Sequence, residues 1–112
     1  MEQITIKTNK REMSTIQITK LWAIEIEHSV CKYYYNDEIL ITFLSLREAL
    51  AELPVYFVRL TRTCAVNAEK VAAISYGDRI LKLTNGKSFH FSVRSAGVLN
   101  NTLNKLRFNT DE

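Results

Sequence analysis

The stretch FVRLTRTCAVN, residues 57–67, decides the fold class of this chain of 112 residues. Its apolar residues recur at the spacing of a strand that buries one face, but Arg59 and Arg62 interrupt them. Such a strand turns its other face toward solvent or toward a ligand. Two arginines on that face indicate either ordinary hydration or contact with a polyanion, and the stretch alone leaves both interpretations open.

Most of the remaining chain also has strand character. Residues 36–37 (Asn-Asp) and 85–86 (Asn-Gly) are turn formers that predict hairpins, and 77–78 (Gly-Asp) predicts a further tight turn. Strands are predicted by alternating apolar, β-branched and aromatic residues in the segments ITIK, TIQIT, KLWAIEIE, VCKYYY, EILITF, VYFVRL, CAVN, KVAAISY, RILKLT and SFHFSV.

Two segments have helical spacing instead. In SLREALAELP, Ser45 and Glu48 form a capping box, and the final proline stops a short helix near 46–53. In SAGVLNNTLNKLRF, the leucines are spaced for a short C-terminal helix with Ser95 as its cap, although glycine and three asparagines have weak helix propensity. The predicted fold is therefore mainly β with two short helices.

Composition predicts one cytoplasmic domain. Hydrophobic residues make up 46% of the chain and charged residues 24%, as in ordinary globular proteins. No apolar run approaches the roughly 20 residues that cross a membrane, and the N-terminus lacks the apolar core of a secretory signal. Cys31 and Cys64 have no metal-ligand spacing, so we expect buried, reduced thiols rather than a disulfide.

The distribution of charge is more informative than the net charge of +3. Acidic residues outnumber basic ones in residues 21–53. The acids there are Glu25, Glu27, Asp37, Glu38, Glu48 and Glu52, and the bases are Lys32 and Arg47. Basic residues outnumber acidic ones in residues 54–94. The bases there are Arg59, Arg62, Lys70, Arg79, Lys82, Lys87 and Arg94, and the acids are Glu69 and Asp78. This asymmetry is compatible with an anionic partner on one face and equally with a solvated surface.

Nothing in the sequence indicates an enzyme. His28 and His90 are far apart, and no nucleophile-histidine-acid arrangement or glycine-rich phosphate loop is present. Glu25 and Glu27 share a strand face, where we interpret them as partners for the arginines of residues 57–67. We therefore expect no catalytic residues, no cofactor, no metal and no small-molecule substrate.

The order of these segments resembles the LytTR DNA-binding domain family of bacterial transcriptional regulators. A leucine-rich helix ending in proline leads into the phenylalanine-arginine strand in SLREALAELPVYFVRLTRTCAVNAEKVAAI, residues 45–74. Upstream, LWAIE resembles the family's strand ending in isoleucine-glutamate, and downstream ILKLTNGKSFHFSVRS resembles its asparagine-glycine hairpin and serine-arginine element. The resemblance covers about residues 4–106 and predicts one LytTR-like domain over residues 1–112.

The resemblance implies an elongated stack of antiparallel β-sheets whose loops enter successive major grooves of promoter DNA. Double-stranded DNA is then the partner, transcriptional regulation is the function, and two molecules bind neighbouring direct repeats as a homodimer. Family members usually carry an N-terminal receiver domain. Because the first predicted strand starts within five residues of Met1, we expect either a stand-alone LytTR protein or an excised module, and Met1 with its polar tail favours the former.

The resemblance also implies which residues touch DNA. Arg62 and Arg94 are the main candidates, because a guanidinium binds guanine O6 and N7 in a bidentate manner; an exposed arginine in a surface ion pair is the alternative. A third contact comes from the loop EHSVCK. The remaining candidates, from that loop and from the family signature, are His28, Ser29, Lys32, Thr61, Ser92, Lys87 and Arg59.

Several of these residues also have structural interpretations. Arg59 is expected to pair with Glu25 or Glu27 slightly more readily than with a phosphate. Asn67 is expected to satisfy backbone groups at the end of its strand. The run of tyrosines at residues 33–35 is expected to pack against the core rather than to stack on bases.

One departure from the family keeps a second function open. Thr61 stands where the family usually has histidine, and it can bond a phosphate but cannot read a base edge with a large planar ring. The alternative is a protein-interaction module that titrates a LytTR regulator or its membrane inhibitor, with weak or no DNA binding.

Overall fold

The computed structural model describes the main chain of residues 2–110 and the side chains of residues 2–106. The elements in chain order are β1 (Gln3–Lys7), β2 (Met13–Gln17), β3 (Leu21–Glu27), β4 (Val30–Tyr35), β5 (Glu38–Thr42), α1 (Leu46–Ala51), β6 (Phe57–Thr61), β7 (Cys64–Asn67), β8 (Val71–Ser75), β9 (Ile80–Leu83), β10 (Ser88–His90) and α2 (Val93–Thr110). Two single 3-10 turns, Ile18–Lys20 and Ala68–Lys70, lead into β3 and β8.

The strands form three antiparallel sheets, which confirms the mainly β prediction. One sheet is the hairpin β1-β2, the largest has the order β5-β4-β3-β7-β6, and the third has the order β10-β9-β8. In the centre of the largest sheet, Glu25 of β3 lies opposite Lys32 of β4 on one side and Cys64 of β7 on the other. This register brings the β3-β4 turn and the β6-β7 turn to the same end of the sheet.

The predicted hairpin turns are present, and left-handed backbone explains their residues. Asn36 has a φ of 52°, in the region that asparagine tolerates better than most side chains. Gly86 has a φ of 88°, where a side chain would be strained. Both turns lie between paired strands, β4-β5 and β9-β10.

Two hydrophobic clusters cover opposite faces of the five-stranded sheet. The first joins Ile24, Tyr33 and Phe57 to α1 and to the β1-β2 hairpin. The second joins Leu60 and Val66 to the three-stranded sheet and α2. Each large apolar side chain that is fully buried contributes about 1.5–3 kcal/mol to the free energy of unfolding. The core therefore sandwiches the sheet and leaves its ends open.

The run of tyrosines packs as predicted. Tyr33 is 0% exposed in the first cluster, while Tyr34 and Tyr35 are half-buried and pack against the second and first clusters, respectively. The hydroxyl of Tyr33 is buried and has no hydrogen-bond partner among the described residues. Burial also raises its pKa. These rings support the sheet.

Helix α1 begins with the predicted capping box. The amide of Glu48 donates to Ser45 Oγ at 3.0 Å, and Glu48 Oε1 accepts from the amide of Ser45 at 2.9 Å. These hydrogen bonds hold the pKa of Glu48 below its usual range. The helix ends at Ala51, slightly before the predicted end at residue 53.

The predicted C-terminal helix is present, but it is longer than expected and Ser95 is not its cap. Helix α2 has 18 residues and begins at Val93, so the strand character of SFHFSV ends early and β10 stops at His90. The amide of Ser95 donates to Ser92 Oγ at 3.3 Å, which makes Ser92 the capping residue. Burial of Leu99, which is 0% exposed, on the second cluster outweighs the weak helix propensity of the asparagines.

The predictions for Asn67 and the cysteines are confirmed. Asn67 is 0% exposed; its Nδ2 donates to the carbonyl of Leu21 at 3.0 Å, and its Oδ1 accepts from the amide of Glu69 at 3.0 Å. Cys31 and Cys64 are buried free thiols. Burial raises the pKa of both thiols, that of Cys64 to about 12.

Among the described residues, no helix combines the length and the apolar character needed to span a membrane.

Candidate nucleic-acid interface

Two turns that carry predicted contact residues are joined at one end of the five-stranded sheet. The β3-β4 turn consists of His28 and Ser29, and the β6-β7 turn consists of Arg62 and Thr63. The amide of Ile26 donates to the carbonyl of Thr63 at 2.7 Å, directly before the first turn. This backbone bond fixes the two turns side by side.

The start of α2 is tied to the same end of the sheet. The amide of Ser92 and the hydroxyl of Ser95 both donate to the carbonyl of Leu60, each at 2.9 Å. Leu60 lies in β6, two residues before Arg62 of the β6-β7 turn. Arg94, in the first turn of α2, is therefore held near the β6-β7 turn and is exposed.

The β3-β4 turn has an unusual backbone. His28 has a φ of 52° and Ser29 a φ of 67°. Two consecutive positive φ values define the type I′ turn, which matches the twist of a hairpin and normally takes asparagine and glycine. Left-handed backbone costs a residue with a side chain about 1–2 kcal/mol. The hairpin thus tolerates strain to keep two exposed polar side chains at its tip.

Arg62 lies in a turn, so the interpretation of residues 57–67 as one strand with an arginine-bearing face is wrong for this residue. The pairing of β6 with β7 shifts register between Arg59 and Thr61, as at a β-bulge. The amide of Thr63 donates to Thr61 Oγ1 at 3.2 Å. The half-buried Thr61 therefore stabilises the turn that displays Arg62.

The predicted ion pair of Arg59 with Glu25 or Glu27 is also wrong. Lys32 Nζ donates to Glu27 Oε1, and this bond holds the pKa of Glu27 below its usual range. The hydroxyl of Tyr34 donates to Glu25 at 2.7 Å. The pKa of Tyr34 is raised, mainly because the hydroxyl is buried and in addition because of this hydrogen bond. Within residues 2–106, the Lys32–Glu27 pair is the one salt bridge, so the exposed Arg59 has no acidic partner.

The lysines of the basic half lie elsewhere. Lys87 Nζ lies 4.3 Å from the centre of the Tyr34 ring, and Lys70 Nζ lies 5.0 Å from that of Trp22. Lys87 also lines a groove with Asn36, whose turn is at the opposite end of β4 from His28 and Ser29. The structure thus brings together the candidates at the two turns and the start of α2, and it separates Lys87 from them.

Sequence reasoning missed one basic residue beside the turns. Arg47 of α1 lines a groove of about 440 Å³ together with Ser29, Arg59 and Arg62. The only sequence signal was its polar position on a short amphipathic helix, which is typical of any solvated helix face. Its proximity to the turns depends on how α1 crosses the sheet.

The part of the chain that the structure describes contains no cluster of metal-ligating side chains. No three side chains among its histidines, cysteines, aspartates and glutamates are grouped as metal ligands. What the site offers instead is hydrogen-bond donors and cations on three tethered elements. A surface of this chemistry is compatible with a nucleic acid, whose phosphates bind cations and whose base edges pair with hydrogen-bonding side chains.

Comparison with known proteins identifies the family. The family model for the LytTr DNA-binding domain matches residues 11–104, so the chain belongs to the LytTr DNA-binding domain family. This is a family of DNA-binding domains that act in transcription regulation. A solved LytTr DNA-binding domain from Bacillus cereus has the same fold: it is 21% identical, and the match covers 92% of this chain and 97% of that one with a TM-score of 0.76. No curated protein sequence matches the chain significantly.

Proposed function

We propose that this chain regulates transcription by binding specific sequences in double-stranded DNA through the end of the five-stranded sheet. One observation carries the proposal. Two turns and the start of α2 are tied together there by backbone hydrogen bonds, with exposed arginines on two of the three elements. Family membership supports the DNA-binding class, and this arrangement supports loops, rather than a recognition helix, as the elements that enter the major groove.

The roles within the site follow from side-chain chemistry. Within the described residues, neither Arg62 nor Arg94 takes part in a salt bridge. Their guanidinium groups are therefore available to read guanine in the major groove, with about 1–3 kcal/mol of discrimination per bidentate pair. His28 and Ser29 supply the third contact from the strained hairpin tip. Thr61 keeps a hydroxyl hydrogen that can donate to a phosphate, since its oxygen serves the turn as an acceptor.

Two of the other candidates have less freedom to contact DNA. Lys32 Nζ is bound to Glu27, whose carboxylate offsets its charge and restricts its reach toward a phosphate. The Ser92 hydroxyl accepts from the amide of Ser95 and lies 3.0 Å from the Ser95 hydroxyl. Ser92 therefore acts chiefly by aiming Arg94.

The mode of binding extends the same proposal. Residues 1–112, with a core of about 4–106, act as one domain, and two copies occupy neighbouring direct repeats in a promoter. Smooth bending of a site costs a few kcal/mol and lets one small domain reach more than one groove, so we expect bending at flexible steps between the contacts. The protein then works in the compartment that holds the DNA, the bacterial cytoplasm.

The test is selection from a randomised duplex pool followed by fluorescence-anisotropy binding at two salt concentrations. Wild type is compared with Arg62→Ala and Arg94→Ala, and Lys20→Ala is the control because Lys20 is exposed beside the Asn36 turn at the other end of the sheet. We expect each arginine variant to lose about fivefold to 150-fold in discrimination, and each at its own position in the motif.

Three outcomes would contradict all or part of the proposal. Wild type that selects no motif and loses all binding at moderate salt has only nonspecific electrostatic affinity. Wild type that binds no duplex at all leaves the protein-interaction module as the better explanation of the fold. Arginine variants that bind less but keep the wild-type preference at every position would remove Arg62 and Arg94 as base readers.

A further inference from the structure

A groove beside the two turns gathers arginines from three separate elements. Arg47 comes from α1, Arg59 from β6 and Arg62 from the β6-β7 turn, and together they line a space of about 440 Å³. Phe43, in the connection from β5 to α1, lines the same groove with 72% of its surface exposed. The groove therefore combines three cations with one open apolar ring.

None of these arginines forms a salt bridge within the described part of the chain. The salt bridge found within residues 2–106 joins Lys32 to Glu27 and involves none of them. Glu48 is the one carboxylate among the groove's described lining residues, and its Oε1 accepts from the amide of Ser45 at the start of α1. Like charges held close together are unfavourable, so an anion that enters the groove relieves their repulsion.

The chemistry and the position of the groove specify one occupant. Arginine binds phosphate oxygens through paired donors, and a ring such as that of Phe43 offers an apolar surface to a sugar. Ser29 and Arg62 belong both to the groove and to the two turns at the end of the sheet. Whatever fills the groove is therefore continuous with whatever the turns contact.

We propose that this groove holds the sugar-phosphate backbone of the duplex whose bases the adjacent turns read. This inference rests on the proposed function and adds a fourth element to it, the segment from Phe43 to Arg47. Arg47 and Arg59 each contact a phosphate, and the ring of Phe43 packs on a deoxyribose. Contacts of this kind carry no sequence information, but they set the register in which Arg62 meets the bases.

The test measures binding of wild type, Arg47→Gln, Phe43→Ala and Lys20→Gln to two duplexes over a series of salt concentrations. One duplex carries the motif that wild type selects, and the other is a scrambled version. Lys20→Gln removes one positive charge at the far end of the sheet and so controls for net charge. Thermal denaturation of each variant confirms that it is folded.

The two groove variants should differ in how they respond to salt. Loss of one phosphate contact lowers the salt slope by about 0.9, which is about eightfold in affinity at about 0.1 M salt. Arg47→Gln should therefore lose about eightfold on both duplexes alike. Phe43→Ala should also weaken both duplexes but leave the slope unchanged, because an apolar contact releases no counterions.

Each failure has a distinct signature. If Arg47→Gln matches Lys20→Gln in affinity and slope while wild type still selects its motif, this inference is wrong and the proposed function stands. If Arg47→Gln alters preference at one base position, Arg47 reads sequence and the assignment to the backbone is wrong. If wild type binds no duplex, the proposed function is wrong and the inference fails with it.

Discussion

Replacement of Asn67 by aspartate tests how β3, β7 and the turn before β8 are joined. The two side chains have the same shape, so the change exchanges an amide donor for a carboxylate oxygen. That oxygen would face the carbonyl of Leu21, which now accepts from Asn67 Nδ2 at 3.0 Å. The bond from the amide of Glu69 to Oδ1 can remain. The substitution therefore breaks one hydrogen bond of the junction and keeps the other.

The magnitude follows from complete burial. A buried carbonyl that loses its hydrogen-bond donor lowers the free energy of unfolding by about 1–3 kcal/mol. When the substitution also leaves a buried charge without a partner, the loss rises to about 3–5 kcal/mol. The total free energy of unfolding of a domain of this size is about 5–15 kcal/mol. We expect Asn67→Asp to lose about 3–5 kcal/mol of unfolding free energy at pH 7, measured by urea denaturation.

The loss should depend on pH. Burial and the facing carbonyl raise the pKa of the new carboxyl in the folded state above its unfolded value of about 3.9. A raised folded pKa gives stability that is fully present below the unfolded pKa and disappears as pH rises through the folded one. The protonated acid can also donate to the carbonyl of Leu21, so the deficit should shrink toward about 1 kcal/mol near pH 4.

Asn67→Ala is the matched control, because it removes both hydrogen bonds and introduces no charge. Its deficit relative to wild type should be the same at both pH values. If Asn67→Asp is as stable as wild type at pH 7, or if its deficit does not change with pH, then the amide nitrogen does not donate to the carbonyl of Leu21. The account of this junction would then be refuted.

Three further predictions concern groups that the structure leaves strained, unpaired or buried. Tyr33→Phe should leave the unfolding free energy unchanged or raise it by about 1 kcal/mol in urea titrations, because the lost hydroxyl is buried without a partner among the described residues; a clear loss would reveal a missing partner. Ser29→Gly should raise the melting temperature, as relief of a φ of 67° is worth about 1 kcal/mol, and a lower one would contradict the strain. Cys31 and Cys64 should resist Ellman's reagent at pH 8 until urea exposes them, since burial raises both pKa values; a rapidly reacting native thiol would disprove that burial.

The elements that local chemistry specifies could be predicted from the sequence. The capping box of Ser45 and Glu48 satisfies helix amides three residues apart, and the Asn36 turn needs a residue that tolerates positive φ. Helix α2 could not be delimited in this way. Its length depends on the burial of Leu99 against a cluster built from distant strands.

The site was only partly predictable for the same reason. Arg62 and Thr63 form a turn without positive φ, so the turn needs no glycine or asparagine and leaves no signature in the sequence. The partner of Glu27 depends on the pairing of β3 with β4, which places Lys32 nearby. The position of Arg47 depends on how α1 crosses the sheet. The family resemblance predicted which residues contact DNA, whereas strand register determined which of those side chains lie near one another.

The ties that hold the end of the sheet together have an evolutionary consequence. The bond from Ile26 to Thr63 and the bond from Ser92 to Leu60 join backbone atoms, so they do not depend on the side chains at the tips. His28, Ser29 and Arg62 are exposed and lie outside both hydrophobic clusters. Under the proposed function, one copy can therefore acquire a new operator after gene duplication by changing its exposed tip residues, while its buried core is inherited intact.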